Sequence, residues 1–306
     1  MRLVFMGTPA FAATCLSALL ETGHEIIGVY TKPDTPKNRG MKMSISEVKE
    51  VALRHGLPIY QPQTFKDEAV RQTLRELAPD LIIAVAYGKI LPRAVLEIPP
   101  KGCINIHGSI LPALRGAAPV QWAVLNGLRE TGVTAMYMSP GMDEGDVIEI
   151  RKTPVDPAET AGELMDRLAV IGASLLCDTV RAIDQGTVHR TPQDPALASY
   201  APMLTKELSE IDWTKTQWEI LCQIRGLNPW PIATTTLGGT FFKIYAAEPC
   251  EGSGAEPGQP IALNKRGLVV SCGDGAVLIT RLQAQGGKVL AAPDYFRGHP
   301  ITLYRE

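Results

Sequence analysis

The sequence lacks the features that mark secreted, membrane-spanning and zinc-binding chains. Its longest apolar run, residues 81–87, is far shorter than the ~18 residues that a membrane span needs. The apolar run within residues 1–7 is too short for a signal peptide and is typical of a strand. The six cysteines are scattered and form no C-x-x-C pair, so we expect reduced core residues. These absences favour a cytoplasmic protein that holds no metal.

An excess of charge is also missing. The net charge is −2, with 45% hydrophobic and 20% charged residues, which is an ordinary globular balance. A nucleic-acid partner would therefore be bound through local basic features and shape. The first turn, Gly7-Thr8-Pro9-Ala10, lacks the G-x-G-x-x-G that brings a backbone close to a pyrophosphate, which argues against a nicotinamide dehydrogenase.

The first half of the chain alternates strand and helix patterns, and 306 residues are enough for two domains. Thr8 is predicted to cap the first helix, and Ser44 to Glu47 resembles a capping box for a helix that ends near His55. A long amphipathic helix is predicted at residues 160–184. Strands are predicted at residues 2–6, 25–30, 80–86, 102–107, 133–138 and 147–155. This order predicts an α/β, Rossmann-like, mostly parallel sheet that binds ligands beyond the carboxyl ends of its strands.

The pattern changes near residue 190. Residues 190–206 are typical of a linker, and a helix at residues 216–226 follows. Short strands at residues 240–246, 267–271 and 276–282, between turns rich in Gly and Pro, predict a small OB-like β-barrel. We therefore divide the chain into residues 1–189, 190–206 and 207–306. Residues 32–43 are polar, contain two prolines, and are predicted to form a mobile surface loop.

The densest group of polar and irregular residues lies at residues 102–119. Asn105 and His107 alternate with apolar residues, so both side chains should lie on one face at the end of a strand. An amide beside an imidazole can stabilise an oxyanion and move a proton in acyl transfer. The alternative is a structural asparagine beside a core histidine that hydrogen-bonds a turn.

Two further segments border this group in the predicted sheet. Asp143 lies between glycines on the loop after strand 133–138, where its carboxylate could enter a cleft, although a turn residue is the alternative. Residues 86–92, A-Y-G-K-I-L-P, end an apolar strand in a turn. This turn could line a flat aromatic ligand or only terminate the strand.

Together these segments carry a family resemblance that covers essentially the whole chain. The chain resembles the formyltransferases that use 10-formyltetrahydrofolate. The motifs that carry this resemblance are N-I-H-G-S-I-L-P, R-G-A-A-P-V-Q, G-M-D-E-G-D, the opening F-M-G-T-P-A-F-A-A, V-A-Y-G-K-I-L-P, I-D-W and N-P-W-P. The closest likeness is to the bacterial branch that acts on charged initiator tRNA. The resemblance implies transfer of a formyl group to the α-amine of the methionyl ester, without a nucleophilic side chain or a metal.

The resemblance also implies roles for individual residues. Asn105 and His107 would donate to the developing oxyanion, and Asp143 would act with His107 to move the proton from the amine. Ile110 stands where leucine is commoner in the family, which keeps the apolar volume. The residues implied to border the folate are Ser109, Ile110, Leu111, Pro112, Val85, Ala86, Tyr87, Gly88 and Leu91.

For the tRNA, the resemblance implies that residues 32–42 meet the acceptor end. This segment holds four basic residues and one acid, and Arg39 and Lys42 are the expected contacts. Asn38 and Met41 depart from the family's usual glycine and lysine. Residues 207–306 hold nine Lys or Arg against ten Asp or Glu, so their expected role in tRNA binding depends on the resemblance alone. Possible local contacts are Lys243, Lys265, Arg266, Arg281 and Lys288. We expect a monomer.

Two other functions stay open. A folate-dependent formyltransferase could act on a small amine, such as glycinamide ribonucleotide or an amino sugar nucleotide, although the basic loop and the C-terminal domain argue against it. A non-enzymatic RNA-binding module would leave Asn105, His107 and Asp143 unexplained. Formylation assays on each amine separate the enzymes, and tRNA binding without turnover would indicate the module.

Overall fold

A computed structural model describes residues 1–37, 42–252 and 255–304. The chain forms two compact units. The first comprises residues 1–119, 130–153 and 165–201, and the second comprises residues 120–129, 154–164 and 202–306. Within these described ranges, none of the helices combines the length and the apolar character needed to cross a bilayer.

The described residues of the first unit contain eleven strands, of which the tenth extends by one residue into the second unit. They are β1 (Arg2–Gly7), β2 (Glu25–Tyr30), β3 (Thr35–Lys37), β4 (Lys42–Ser44), β5 (Ile59–Tyr60), β6 (Leu81–Val85), β7 (Cys103–His107), β8 (Arg115–Gly116), β9 (Glu130–Tyr137), β10 (Val147–Pro154) and β11 (Tyr200–Ala201). The first six helices of the chain are α1 (Ala10–Leu20), α2 (Glu47–Arg54), α3 (Glu68–Glu76), α4 (Arg93–Leu96), α5 (Pro119–Leu125) and α6 (Ala161–Gln185).

Seven of these strands form one sheet in the order β10-β9-β7-β6-β1-β2-β5. The pairs β1–β2, β1–β6, β2–β5 and β6–β7 are parallel, whereas β7 and β9 are antiparallel. All five residues of β6 are buried, as expected for a parallel strand with both faces covered. The chain leaves β1 toward β2 on one side and returns to β6 on the other. The sheet therefore has a switch point between β1 and β6, where open α/β sheets bind ligands.

The two predicted helix starts need correction. Pro9, not Thr8, is the N-cap of α1, and the Thr8 hydroxyl instead donates to the Tyr87 carbonyl oxygen at 3.2 Å. Helix α2 is capped by Ser46, whose hydroxyl accepts from the Lys49 N–H at 3.1 Å, so Ser44 does not open a capping box. In both places the helix begins one or two residues later than predicted.

Two segments expected to be irregular contain paired backbone. In the predicted surface loop, β3 and β4 pair as an antiparallel hairpin. In the predicted linker, β11 pairs with β8 in parallel, and the Arg115 N–H donates to the Ser199 carbonyl oxygen at 2.8 Å. Gly116 allows this close approach, because a Cβ there would lie 2.8 Å from the Ala201 carbonyl oxygen. Residues up to Ala201 therefore belong to the first unit.

The second unit holds an antiparallel sheet. Its strands are β12 (Ala233–Leu237), β13 (Thr240–Cys250), β14 (Pro260–Leu263), β15 (Leu268–Cys272), β16 (Gly275–Ala284) and β17 (Val289–Ala291). Their order is β12-β13-β16-β15-β14, with β17 also paired to β16. Two helices accompany the sheet, α7 (Gln217–Gly226) and α8 (Ala292–Gly298). Thr216 and Glu219 form a capping box at the start of α7, which fixes this helix where the sequence predicts it.

Candidate functional site

The carboxyl ends of β6 and β7 form the edge where the predicted site residues meet. These strands are parallel neighbours, with Ala84 opposite Asn105. Asn105 and His107 lie on the last residues of β7, two positions apart, so the strand places both side chains on the same face. The prediction that a strand end carries both residues is confirmed.

His107 is buried, and one of its ring nitrogens is already occupied. Its side chain is only 6% exposed, and Nε2 lies 3.0 Å from the Leu114 carbonyl oxygen. Because a carbonyl only accepts, this contact assigns the ring hydrogen to Nε2. The neutral imidazole then presents an unprotonated Nδ1, which is the form of histidine that accepts a proton.

Asp143 lies opposite this free nitrogen. Its Oδ2 is 3.7 Å from His107 Nδ1 and accepts a hydrogen bond from the Gly116 N–H at 2.9 Å. The Asp143 backbone is left-handed, with φ +53°, a conformation that Asp tolerates better than most residues. The gap to the ring is longer than a hydrogen bond. The two groups therefore face each other without a direct hydrogen bond.

The Asn105 amide is free to bind a ligand. Its side chain is half-buried at the end of β7, and it has no hydrogen-bond partner among residues 1–37, 42–252 and 255–304. An amide supplies two N–H donors. Asn105 therefore offers donors beside the His107–Asp143 pair, where an anion would be stabilised.

The segment after β7 forms a tight loop. The Ser109 hydroxyl donates to the Ala113 carbonyl oxygen at 2.6 Å, and the Ser109 carbonyl oxygen accepts from the buried Thr134 hydroxyl at 2.6 Å. Leu111 is buried and Ile110 and Pro112 are half-buried, with a cis peptide bond between Leu111 and Pro112. The hydroxyl hydrogen of Ser109 is used inside the loop, so only its oxygen is left for a ligand.

The turn after β6 lies at the switch point. Ala86 and Gly88 both have positive φ, +45° and +72°, and both are exposed. Tyr87 between them is buried, with its ring 6.1 Å from that of Phe65, so this residue offers the surface its backbone. Val85 and Leu91 are buried on either side. The turn thus presents backbone groups rather than an aromatic face.

Gln193, which the sequence did not mark, connects to this edge together with Arg115 from the group at residues 102–119. Gln193 donates from Nε2 to the carbonyl oxygens of Asp143 and Gly145, at 2.9 and 2.8 Å. Its Oε1 accepts from Arg115, at 3.1 Å from Nε and 2.7 Å from Nη2. Gln193 falls in a polar stretch with prolines on the chain, so nothing in its local pattern indicates these contacts.

The cysteines do not supply a nucleophile. All six are free, and four of them are buried, as the sequence predicts for core residues. Burial raises the pKa of the Cys103 thiol to about 12 and also raises the pKa of Cys15, Cys177, Cys222 and Cys272. A thiol with a raised pKa is a poor nucleophile near neutral pH. These five thiols are therefore poor candidates for a catalytic nucleophile.

The residues expected to bind tRNA are only partly described. Arg39, with Asn38 and Met41, lies outside the described residues, and Lys42 begins β4. In the second unit Lys265, Arg266, Arg281 and Lys288 are exposed, whereas Lys243 is half-buried. Arg266 is paired with Glu248, which reduces the positive charge that it offers.

Comparison with protein families and known proteins shows what this chain is similar to. Residues 1–180 match the family described as formyl transferase, and residues 203–300 match the family described as formyl transferase, C-terminal domain. The methionyl-tRNA formyltransferase of Trichlorobacter lovleyi is 45% identical over 99% of this chain and 95% of its own length. That of Moorella thermoacetica is 47% identical over 99% of this chain and 97% of its own length.

Solved structures are similar in fold at lower identity. The N-formyltransferase of Helicobacter canadensis, in complex with folinic acid and dTDP-3-aminofucose, has a TM-score of 0.71 at 21% identity and covers 91% of this chain and 98% of its own. HypX of Aquifex aeolicus, in complex with tetrahydrofolic acid, has a TM-score of 0.67 at 21% identity over 99% of this chain and 48% of its own.

Proposed function

Because this chain belongs to the formyl transferase family, with relatives named methionyl-tRNA formyltransferase along nearly its whole length, we propose that it formylates methionyl initiator tRNA. The donor is 10-formyltetrahydrofolate, and the acceptor is the α-amine of the methionyl ester. The product is N-formylmethionyl-tRNA, which serves translation initiation. We place the reaction in the cytoplasm and expect the enzyme to act as a monomer without a metal.

One observation carries the chemical part of this proposal. His107 Nδ1 and Asp143 Oδ2 face each other at 3.7 Å, beside the unpartnered Asn105 amide and at the carboxyl ends of β6 and β7. The attacking group in formyl transfer is an amine, which needs a proton acceptor rather than an enzyme nucleophile. The raised pKa values of the buried thiols agree with direct attack by the amine.

The residues act in the following order. The α-amine attacks the formyl carbon of the donor, and the formyl oxygen gains negative charge that the Asn105 amide stabilises. The attacking nitrogen loses a proton to His107 Nδ1, and the Asp143 carboxylate stabilises the imidazolium that forms. The protonated Nδ1 hydrogen-bonds the oxyanion and then gives its proton to the departing folate nitrogen, as the formyl carbonyl re-forms and the C–N bond to folate breaks.

The tautomer of His107 sharpens this assignment. Since Nε2 donates to the Leu114 carbonyl oxygen, Nδ1 is the ring position left for both tasks. In the neutral ring Nδ1 accepts a proton, and in the charged ring it donates. The Asp143 carboxylate faces this nitrogen without a direct hydrogen bond to it.

We assign the folate to the region between the two loops that follow β6 and β7. The exposed backbone of Ala86 and Gly88 would border one side of its flat ring, and Ile110 with Pro112 the other. The remaining proposed bordering residues are Val85, Tyr87, Leu91, Ser109 and Leu111. Ser109 would contribute through its free oxygen lone pair.

We assign tRNA binding to the segment with Arg39 and Lys42 and to the domain at residues 207–306. We also propose that the antiparallel sheet of this domain closes toward an OB-like barrel. Strand β13 supports this idea, because its pairing with β16 shifts register on both sides of Ala246, and such bulges bend a strand. Of the five candidate cations, Lys265, Arg281 and Lys288 are exposed and have no ion-pair partner among the described residues.

Identification of the product tests the function directly. The enzyme is incubated with 10-formyltetrahydrofolate and charged initiator tRNA, the ester is hydrolysed, and the released amino acid is identified by mass. The expected product is N-formylmethionine, formed only when folate donor and charged tRNA are both present. Binding of tRNA without any formylated product would support the RNA-binding module instead.

Substitutions of Asp143 separate proton handling from positioning. Asp143→Asn keeps the shape and the acceptor for the Gly116 N–H but removes the charge opposite His107. We expect Asp143→Asn to lower kcat nearly as much as Asp143→Ala, by ~10²-fold. Asp146→Ala, three residues further along the same loop, is the matched control. Near-normal turnover by Asp143→Asn would reduce Asp143 to a hydrogen-bonding role.

The basic segment should affect tRNA and not folate. We expect Arg39→Ala to raise KM for charged tRNA or lower kcat/KM while the affinity for folate stays unchanged. Since residues 207–306 are nearly neutral, few phosphates should be neutralised on binding. The logarithm of the tRNA affinity should therefore fall only slowly with the logarithm of the salt concentration, with a slope of roughly one or less for each neutralised phosphate. Arg54→Ala, an exposed cation at the end of α2, is the control. Equal tRNA affinity of both variants would remove Arg39 from the interface.

A further inference from the structure

Arg115 is a buried cation without an acidic partner in the part of the chain that the structure describes. Its side chain is 5% exposed. Its guanidinium donates two hydrogen bonds to Oε1 of Gln193, the oxygen of a neutral amide. A buried charge is costly unless its hydrogen bonds are satisfied. A carboxylate at position 193 would neutralise the buried charge of Arg115. Because an amide is found there instead, the side chain at position 193 must meet a second requirement.

That requirement lies on the other side of the amide. The two hydrogens of Gln193 Nε2 are directed to the carbonyl oxygens of Asp143 and Gly145, at 2.9 and 2.8 Å. Because Arg115 only donates, it fixes the amide orientation, with oxygen toward the guanidinium and nitrogen toward the loop. Only an amide satisfies a donor on one side and two acceptors on the other.

We propose that Arg115 and Gln193 are positioning residues that hold Asp143 at its working distance from His107, an inference that rests on the function proposed above. Two hydrogen bonds from this part of the chain hold Asp143. Gln193 holds its carbonyl oxygen, and the N–H of Gly116, the residue after Arg115, holds its carboxylate at 2.9 Å. The left-handed backbone of Asp143 is sparsely populated in isolation, so the contacts at both ends maintain it.

The arrangement also gives residues beyond the sheet a role at the site. Gln193 and Ser199 both contact the 114–116 segment, through the Arg115 side chain and through the backbone N–H groups of Leu114 and Arg115. Residues 193–201 therefore tie the loop after β7 to the loop after β9. The first carries Gly116 and the second carries Asp143.

Gln193→Glu tests the proposal because it separates stability from activity. The carboxylate keeps the size of the side chain and gives Arg115 an ion-pair partner, so Tm should be unchanged or higher. It removes both donors to the loop and places negative oxygen against the Asp143 and Gly145 carbonyl oxygens. We expect kcat for formylation of methionyl-tRNA to fall ~10-fold or more, with KM for folate and tRNA changed less than threefold.

Gln223→Glu is the matched control. Gln223 also donates from Nε2 to two backbone carbonyl oxygens, those of Leu208 and Glu210, each at 2.8 Å, but in the second unit. This variant should lower Tm and leave kcat unchanged. A lower Tm with normal kcat in Gln193→Glu as well would show that Gln193 is only structural, and would overturn the proposal.

A double variant distinguishes failure of this inference from failure of the proposed site. If Gln193 acts through Asp143, adding Gln193→Glu to Asp143→Ala should change kcat by less than twofold. If the two losses multiply, Gln193 acts elsewhere and the inference is wrong while the site stands. If Asp143→Ala alone keeps normal turnover, the proposed site itself is wrong.

Discussion

Replacing His107, Asn105 or Asp143 should each lower kcat for formyl transfer by ~10²-fold or more. One oxyanion donor is worth ~3–4 kcal/mol in acyl transfer, and Asn105 is the free amide beside the reacting centre. His107 supplies the ring nitrogen that faces Asp143, at 3.7 Å. Rapid-quench assays on charged initiator tRNA at saturating folate measure the loss in the chemical step.

The His107 variant needs a form that keeps the fold. His107→Ala would leave a cavity and strand the Leu114 carbonyl oxygen, at a cost of ~1–3 kcal/mol. His107→Gln offers an amide N–H to that carbonyl and lacks a group that accepts a proton as imidazole does. We expect near-normal Tm with the full loss of kcat. His189→Ala, at an exposed histidine, is the control, and turnover above a tenth of normal in His107→Gln would remove the proposed base.

Gly145→Ala should produce the second large loss, although it adds only one methyl group. A Cβ at Gly145 would overlap the Tyr137 carbonyl oxygen, so the loop must move away from the end of β9. The movement breaks the hydrogen bond from the Tyr137 N–H to the Asp146 carbonyl oxygen, now 2.9 Å, and shifts Asp143. A displacement of about 1 Å at a reacting group costs ~10²-fold in rate.

The expected signature of Gly145→Ala is a fall in kcat that exceeds any fall in folate affinity. Gly298→Ala is the control, because a Cβ at Gly298 meets open space and its φ is not positive. If Gly145→Ala turns over normally, the loop tolerates the shift and the position of Asp143 is not critical.

Much of the fold follows from patterns within short stretches of sequence. The alternation around Asn105 and His107 predicts the end of β7, and the apolar run at residues 80–86 predicts the buried strand β6. The helix predicted at residues 216–226 likewise begins where expected, at the Thr216–Glu219 capping box. In each case the determinants lie within one strand or one helical turn, so a single sequence contains them.

The features that were not predicted depend on partners distant in the chain. Thr8 is an acceptable cap in isolation, but the Tyr87 carbonyl oxygen, 79 residues away, takes its hydroxyl hydrogen. Gln193 reaches Asp143 across 50 residues and Arg115 across 78. A core His107 that hydrogen-bonds a turn was one of the alternatives, but its partner depends on the path of a loop with a left-handed Leu114. Residue type at these positions carries no sign of the partner.

The sequence pattern likewise indicated a change of domain near residue 190, but it did not indicate which residues belong to each compact unit. Residues 120–129 and 154–164 belong to the second unit, and residues up to Ala201 belong to the first. A chain cut near residue 190 would lose Gln193, the β8–β11 pair and residues 202–306 of the second unit, but would keep residues 120–129 and 154–164 of that unit. Effects on tRNA binding are therefore better measured by single substitutions in the full chain.

The choice of amine is the most direct test of the central claim. With 10-formyltetrahydrofolate as donor, kcat/KM is measured for charged initiator tRNA, glycinamide ribonucleotide and an amino sugar nucleotide under identical conditions, and again for Asn105→Ala. Charged initiator tRNA should be preferred by at least ~10³-fold, and Asn105→Ala should lower its turnover by ~10²-fold. Equal or faster formylation of either small amine, or full activity of Asn105→Ala, would contradict the account.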